Sequence, residues 1–283
     1  MPGTYQQQIS ASKNLPGCLI VLLDQSGSMA EEYGADKRTK AVAAARAVNT
    51  ALEELVDQCT SGESVRNYFH VGVIGYGGAS ARDLLSGGSA PAGLLTSSEL
   101  ETKAQVEEIE REEDDGTGKL KVERRSKWFD PVANGGTPMQ DGFRIACEKL
   151  TVWVAAYPNS FPPMVLNITD GEPSQPEEAE KASRALRQVS TTDGQTLLFN
   201  CHISASGANP VKYPISDQAL TDPHAKWLFQ ISDDIPGSMI KKAQDARLEV
   251  VPGSRGFVYN AAAGQLVKFL RIGTVVSASS FDR

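Results

Sequence analysis

The chain is poor in the residues from which thiolate metal centres and disulfide frameworks are built. It has four cysteines, Cys18, Cys59, Cys147 and Cys201, and no Cys-x-x-Cys pair. Widely spaced thiols in apolar surroundings read as buried free cysteines of a reducing compartment. Cys201 and His202 adjoin on an expected strand, so they point to opposite faces and do not share a zinc ion. No apolar run approaches the ~20 residues that cross a bilayer. The opening Met1-Pro2-Gly3-Thr4-Tyr5-Gln6 has no basic segment followed by an apolar one, so no secretory signal is expected. These absences together suggest a cytoplasmic protein without a membrane partner. A net charge of -7 and a pI near 5.1 argue against a nucleic-acid partner. Neither a Gly-x-x-x-x-Gly-Lys-Ser/Thr phosphate loop nor a Gly-x-Ser-x-Gly nucleophile elbow occurs.

What the chain does have is a rhythm of short aliphatic runs and amphipathic stretches. Cys18 to Leu23 reads as a buried strand, and at its end the composition switches to Asp24-Gln25-Ser26-Gly27-Ser28. A helix is expected over about 37–58, with Val42, Ala45, Val48, Leu52, Leu55 and Val56 on one stripe. Further strands are expected at 68–76, 164–169, 196–203 and 256–259. Helices are expected from the Thr137 loop to about 157, and over 176–190, 237–247 and 261–270. Strands alternating with helices predict an α/β fold, a doubly wound and mostly parallel sheet with helices on both faces. The expected layout is an N-terminal arm at 1–15, one domain at 16–273 and a tail at 274–283.

Two stretches break the rhythm and read as insertions, 77–127 and 204–235. In the first, Glu107 to Asp115 holds seven acids against Arg111, and Lys119 to Lys127 holds five bases against Glu123. Asp115-Gly116-Thr117-Gly118 between them is a turn signal. An acidic strand beside a basic one would pair charges across a solvated hairpin. A helix over 98–113 competes, since Ser98-x-x-Glu101 fits a capping box. In the second insertion Pro210, Pro214 and Pro223 suggest irregular chain, with His224 an exposed loop residue. Both insertions follow strands, so both are expected on the face at the strands' carboxyl ends, where open α/β sheets bind ligands.

Three loops expected on that face are rich in small oxygen donors: Asp24-x-Ser26-x-Ser28, Gly136-Thr137-Pro138 and Thr169-Asp170-Gly171. Here the sequence resembles the von Willebrand factor A (VWA) family, whose metal-ion-dependent adhesion site has this three-part signature. The resemblance implies that Ser26, Ser28 and Thr137 bind a divalent cation through hydroxyls. It implies that Asp24 and Asp170 hold the ion mainly through water and orient those hydroxyls. Mg²⁺ suits six oxygens, and Mn²⁺ or Ca²⁺ are possible substitutes. The family's mode of action implies a partner protein whose Asp or Glu completes the shell. The stretches 20–29, 135–139 and 255–260 are similar to bacterial intracellular members of the tellurium-resistance-associated kind, often encoded beside kinases and phosphatases in stress or defence clusters.

The plain alternative is that these hydroxyls are only caps and turn residues. Met29 and Met139 could be contact surface or packing, and Trp128 and Phe129 read as packing near the Thr137 loop. The expected function is a non-enzymatic, metal-dependent protein-binding module. Two other readings stand beside it: a Mg²⁺-dependent phosphoryl hydrolase with Asp24 as nucleophile, and a purely structural subunit of a signalling complex.

Overall fold

The structure is a computed structural model and describes residues 11–34, 37–112, 120–204 and 209–274. Most of the expected arm at 1–15, the turn at 115–118 and nearly all of the tail at 274–283 lie outside the described residues. In chain order the main elements are β1 (Gly17–Asp24), α1 (Lys40–Cys59), β2 (Phe69–Gly77), β3 (Ser80–Asp83), β4 (Leu95–Thr96), α2 (Ser97–Lys103), β5 (Gln105–Glu112), β6 (Leu120–Lys127), α3 (Met139–Ala156), β7 (Met164–Thr169), α4 (Pro176–Gln188), β8 (Leu197–Ile203), β9 (Val211–Lys212), α5 (Pro223–Ile231), α6 (Gly237–Asp245), β10 (Phe257–Ala261) and α7 (Ala263–Thr274).

β1 is central, and its run 18–23 is apolar throughout. All its residues are buried, and it pairs in parallel with β2 on one side and β7 on the other. The main sheet runs β9-β10-β8-β7-β1-β2-β3, with β4 also on β2. The pairs β1–β2, β1–β7, β7–β8 and β8–β10 are parallel, and the edge pairs are antiparallel. Alternate residues of β1 enter two cores. Leu19, Val21 and Leu23 pack with α1, α6 and α7, and Cys18, Ile20 and Leu22 with α3, α4 and α5. This is the expected doubly wound α/β fold. From β1 the chain winds first to β2 and then to the far side through β7, β8 and β10. The order therefore reverses between β1 and β7, and the crevice that such a reversal opens lies above Asp24 and Thr169.

The first insertion is both helical and hairpin-like. Its helix, α2, is capped by Thr96 and Glu99, not by the expected Ser98 and Glu101, and stops at Lys103. β5 and β6 then form the antiparallel hairpin, with Arg124 on Glu108 at 2.9 Å. The expectation that both insertions sit on the crevice face needs correction. β4 pairs with His70 and Val71 at the amino end of β2, and the root of β6 is held on the flank of α1, where Ser126 bonds Glu53. The second insertion likewise crosses to the opposite end of the sheet, where Asp233 Oδ2 accepts from Leu198 N–H. The start of the first insertion, β3 beside the carboxyl end of β2, and His224 of the second, next to the Gly171 backbone, are parts that lie toward the crevice.

The second insertion also contains the unforeseen helix α5. Asp222 caps it by accepting from His224 and Ala225 N–H, and Pro223 occupies its first turn, where a missing N–H costs nothing. His224 is therefore buried, stacked on Trp227, not an exposed loop residue. Met29 and Met139 are fully buried packing residues, and Phe129 is buried too. Cys18, Cys59 and Cys201 are buried free thiols, and Cys147 is half-buried.

His70 reports on how dry this core is. It is buried, and Trp153 Nε1–H donates to its Nδ1 at 2.9 Å, a bond that favours the neutral ring. Burial pushes its pKa down to about 4, against a small opposing effect of Glu99. The unfolded chain takes up this proton near pH 6.5, the folded protein only near 4. Stability from this group is thus complete above pH 6.5 and is lost as pH falls toward 4. Denaturant titrations at intervals from pH 7 to 4 should show His70→Asn losing less stability across this window than the wild-type chain. Equal losses would show that His70 does not titrate as a buried neutral group.

Candidate metal centre

The carboxyl end of β1 delivers Asp24 into the crevice, and the backbone then turns through Gln25 to the short helical turn Gly27–Ala30. Asp24 is 1% exposed. Its Oδ1 accepts from Ser26 N–H at 2.8 Å and its Oδ2 from the Thr169 hydroxyl at 2.7 Å. Asp170, next along from Thr169, is arranged in a similar way. Its Oδ1 accepts from the Ser28 hydroxyl at 2.7 Å and its Oδ2 from Lys40 Nζ at 2.9 Å. Lys40, the first residue of α1, is itself buried and also reaches Glu31 at 2.6 Å. All four aspartate oxygens are thus engaged by donors of the protein.

Ser26 and Ser28 sit side by side, with their Oγ atoms 3.1 Å apart. The third loop closes over them through the backbone. Gly27 N–H donates to Gly135 C=O at 2.8 Å, and Asn134 N–H to Gln25 C=O at 2.7 Å. Gly135 has φ +64 and lies so close to Gly78 that a Cβ on it would stand 2.6 Å from the Gly78 Cα. Only glycine fits there. Thr137 follows, anchored by Ser174: its N–H donates to Ser174 Oγ at 2.9 Å and its C=O accepts from Ser174 N–H at 2.9 Å. The Thr137 hydroxyl makes no hydrogen bond to a described residue.

The fold thus brings the loops carrying Asp24, Ser26, Ser28, Thr137 and Asp170 together, and hydrogen bonds link four of these five side chains into one chain of contacts. Lys40, Thr169 and Ser174 belong to the same cluster. Sequence reasoning does not single out Lys40 or Ser174, and it takes Thr169 only as part of the Thr169-Asp170-Gly171 loop, without a role of its own. Lys40 lies in a helix start, where a lysine is ordinarily solvated. Ser174 follows a Glu-Pro turn and has no motif around it.

The donor set fits a hard cation. Among the described residues no three His, Cys, Asp or Glu side chains converge on one point, so an ion here would be held chiefly by hydroxyls. Two oxygens that are neighbours in an octahedral Mg²⁺ shell, each about 2.0–2.1 Å from the ion, stand about 2.9 Å apart. The Ser26–Ser28 separation is close to that edge. Burial pushes the Asp24 pKa up to about 6, against the hydrogen bonds that favour its charge. A buried carboxylate raised in this way lacks nearby positive charge. The buried ammonium of Lys40 is instead bonded to Asp170 and Glu31.

No family model matches the chain, and no curated protein matches it. Among solved structures, the vWF domain of the type V pili tip protein Mfa5 from Porphyromonas gingivalis aligns over 56% of this chain and 39% of its own, at 13% identity and a TM-score of 0.34. Manganese-loaded TRAP protein from Plasmodium vivax aligns over 69% of this chain and 60% of its own, at 18% identity and a TM-score of 0.36. The adhesive tip pilin GBS104 of Group B Streptococcus agalactiae aligns over 56% and 46%, at 15% identity and 0.32. The chain therefore spans less than two thirds of the length of each of these proteins. No helix among the described residues is long and apolar enough to cross a membrane.

The raised pKa of Asp24 has a consequence for the metal-free protein. A folded pKa of about 6 against 3.8 unfolded means that the charged carboxylate costs folding free energy above pH 6, roughly 3 kcal/mol for a shift of this size. In EDTA at pH 7.5, Asp24→Asn should be at least as stable to denaturant as the wild-type chain. A loss of more than about 1 kcal/mol on this scale would show that the carboxylate is already satisfied without a cation.

Proposed function

We propose that the chain is a VWA-type protein-binding module with a metal-ion-dependent adhesion site, in which a divalent cation bound by Ser26, Ser28 and Thr137 captures an Asp or Glu of a partner protein. The observation that carries this reading is the commitment of all four aspartate oxygens to protein donors, beside the paired Ser26 and Ser28 hydroxyls and the adjoining Thr137 loop. Asp24 and Asp170 then orient the hydroxyl ligands and the waters around the ion. Three neutral hydroxyls quench little of the charge of the ion. A six-oxygen shell keeps places for water and for an external carboxylate. Mg²⁺ is the favoured ion, with Mn²⁺ or Ca²⁺ as possible occupants of an all-oxygen site.

The burial of Asp24 also weighs against the phosphoryl hydrolase. A nucleophilic carboxylate must present an oxygen to an incoming phosphorus, and this one is 1% exposed with both oxygens holding donors. The proposed module is not an enzyme. A cytoplasmic place in a bacterial stress, defence or tellurium-resistance system, beside a kinase or phosphatase partner, is the setting that the sequence resemblance suggests.

The test uses the metal and a defined acidic probe. Mg²⁺ should raise the melting temperature of the wild-type protein and leave that of Asp24→Ala unchanged, with the far-UV circular dichroism of the two alike. Binding of acetyl-Gly-Asp-Gly-amide should be at least tenfold tighter in Mg²⁺ than in EDTA, and only for the wild type. An equal Mg²⁺ response in Asp24→Ala, or peptide binding indifferent to EDTA, would overturn the reading.

A further inference from the structure

Beside the hydroxyl cluster, at the carboxyl end of β2, lies a second polar hollow. Gly75 and Gly77 line it. A Cβ on Gly75 would stand 2.3 Å from Gln25 Oε1, and one on Gly77 would stand 2.5 Å from the Gln25 carbonyl oxygen. In the β2–β3 ladder Gly75 opposes Arg82 and Gly77 opposes Ser80. Directly opposed residues of an antiparallel pair project from the same face. Arg82 and Ser80 therefore rise on the face where Gln25 packs over Gly75 and Gly77, and Asn134 and Val132 complete the lining. The hollow encloses about 150 Å³. That is room for about five waters at ~30 Å³ each, or for the end of one acidic side chain.

Two of its groups are unpaired donors. Gln25 is 4% exposed, and its buried Nε2 has no hydrogen-bond partner. A buried N–H left unbonded costs about 1–3 kcal/mol. Arg82 is exposed and makes no ion pair with a described residue. An amide NH₂ and a guanidinium fork both donate and cannot accept, and a carboxylate is the acceptor that takes both.

We propose that this hollow is an anion subsite that takes the carboxylate of an acidic side chain of a partner protein, held by Arg82 and Gln25 Nε2–H. Arg82 and Gln25 Nε2–H are donors of the protein itself, so the subsite does not require the metal. Gln25 lies between Asp24 and Ser26, which puts the subsite against the proposed metal centre. Taken with that reading, on which this extension rests, the partner presents two neighbouring acids, one to the ion and one to Arg82. A glutamine in place of the second acid would leave the Arg82 charge unmatched.

The test is made in EDTA, so that it stands apart from the fate of the metal reading. ¹⁵N-labelled full-length protein is titrated with acetyl-Gly-Glu-Gly-amide while the Gln25 side-chain amide and Arg82 Nε–H resonances are followed. Both should move and saturate. Acetyl-Gly-Gln-Gly-amide should leave them in place, and Arg82→Gln should bind the Glu peptide at least tenfold more weakly. Absence of saturable movement, or an unchanged response in Arg82→Gln, would overturn the subsite. Inorganic phosphate saturating these signals at lower concentration than the Glu peptide would overturn the carboxylate as its ligand.

Discussion

The rest of the site depends on the placement of one carboxylate. Asp24 ends a wholly buried central strand at the point where the strand order reverses. Its oxygens tie two segments together that are far apart in sequence: the turn after β1, through Ser26 N–H, and the end of β7, through the Thr169 hydroxyl. Asp170 repeats the arrangement one residue on, holding Ser28 and Lys40. Each aspartate thus sets the position of a serine whose hydroxyl faces the other. Removing the first would leave the Thr169 hydroxyl and the Ser26 N–H without an acceptor in a dry crevice, where each unmade bond is expensive.

Close backbone approach does the remaining positioning. The Gly77–Gly78 exit from β2 and the Asn134–Gly136 stretch run against each other, with Gly78 N–H on Asn134 C=O at 2.6 Å and Gly136 N–H on Gly78 C=O at 3.2 Å. A Cβ would clash at Gly77 and Gly135, and Gly78 and Gly135 hold a positive φ that glycine adopts without penalty. These contacts bring the Thr137 loop against the serine loop, and Gln25 packs over Gly75 and Gly77 beside the hollow that Arg82 lines. The start of the first insertion meets the segment that follows it there. That insertion contributes to the crevice through Ser80, Arg82 and Asn134 nearby, while its charged hairpin lies out along α1.

Much of this arrangement is legible in the amino-acid sequence. The aliphatic run of β1, the stripe of α1 and the buried β7 announce themselves by composition and period, and strand–helix alternation then implies the parallel sheet. The loops of the candidate site are legible because Asp-x-Ser-x-Ser, Gly-Gly-Thr and Thr-Asp-Gly stand out as small polar clusters between apolar stretches. The insertions are not, because prolines and charge blocks signal punctuation without saying where the chain returns. Pro223 reads as a breaker although Asp222-Pro223 is a helix start. Lys40, Ser174 and Arg82 are hidden for another reason. Each takes its meaning from a neighbour supplied by register or tertiary contact, and no local pattern encodes that neighbour.

Lys40 explains how two acids can share so small a space without metal. Asp24 and Asp170 repel one another, and the effect on Asp24 is upward. A buried ammonium on Asp170 Oδ2 removes part of that repulsion and also fixes which oxygen turns toward Ser28. The same contact limits what Asp170 can offer an ion, since one of its oxygens is held by a cation already. The open capacity of the centre therefore lies with the hydroxyls, which bring no negative charge. A divalent ion seated on them would remain short of anionic ligands, and the crevice above β1 and β7 is the side from which one could arrive. Carboxylates turned inward and hydroxyls turned to one another are the features on which the proposed capture of another protein's carboxylate would rest.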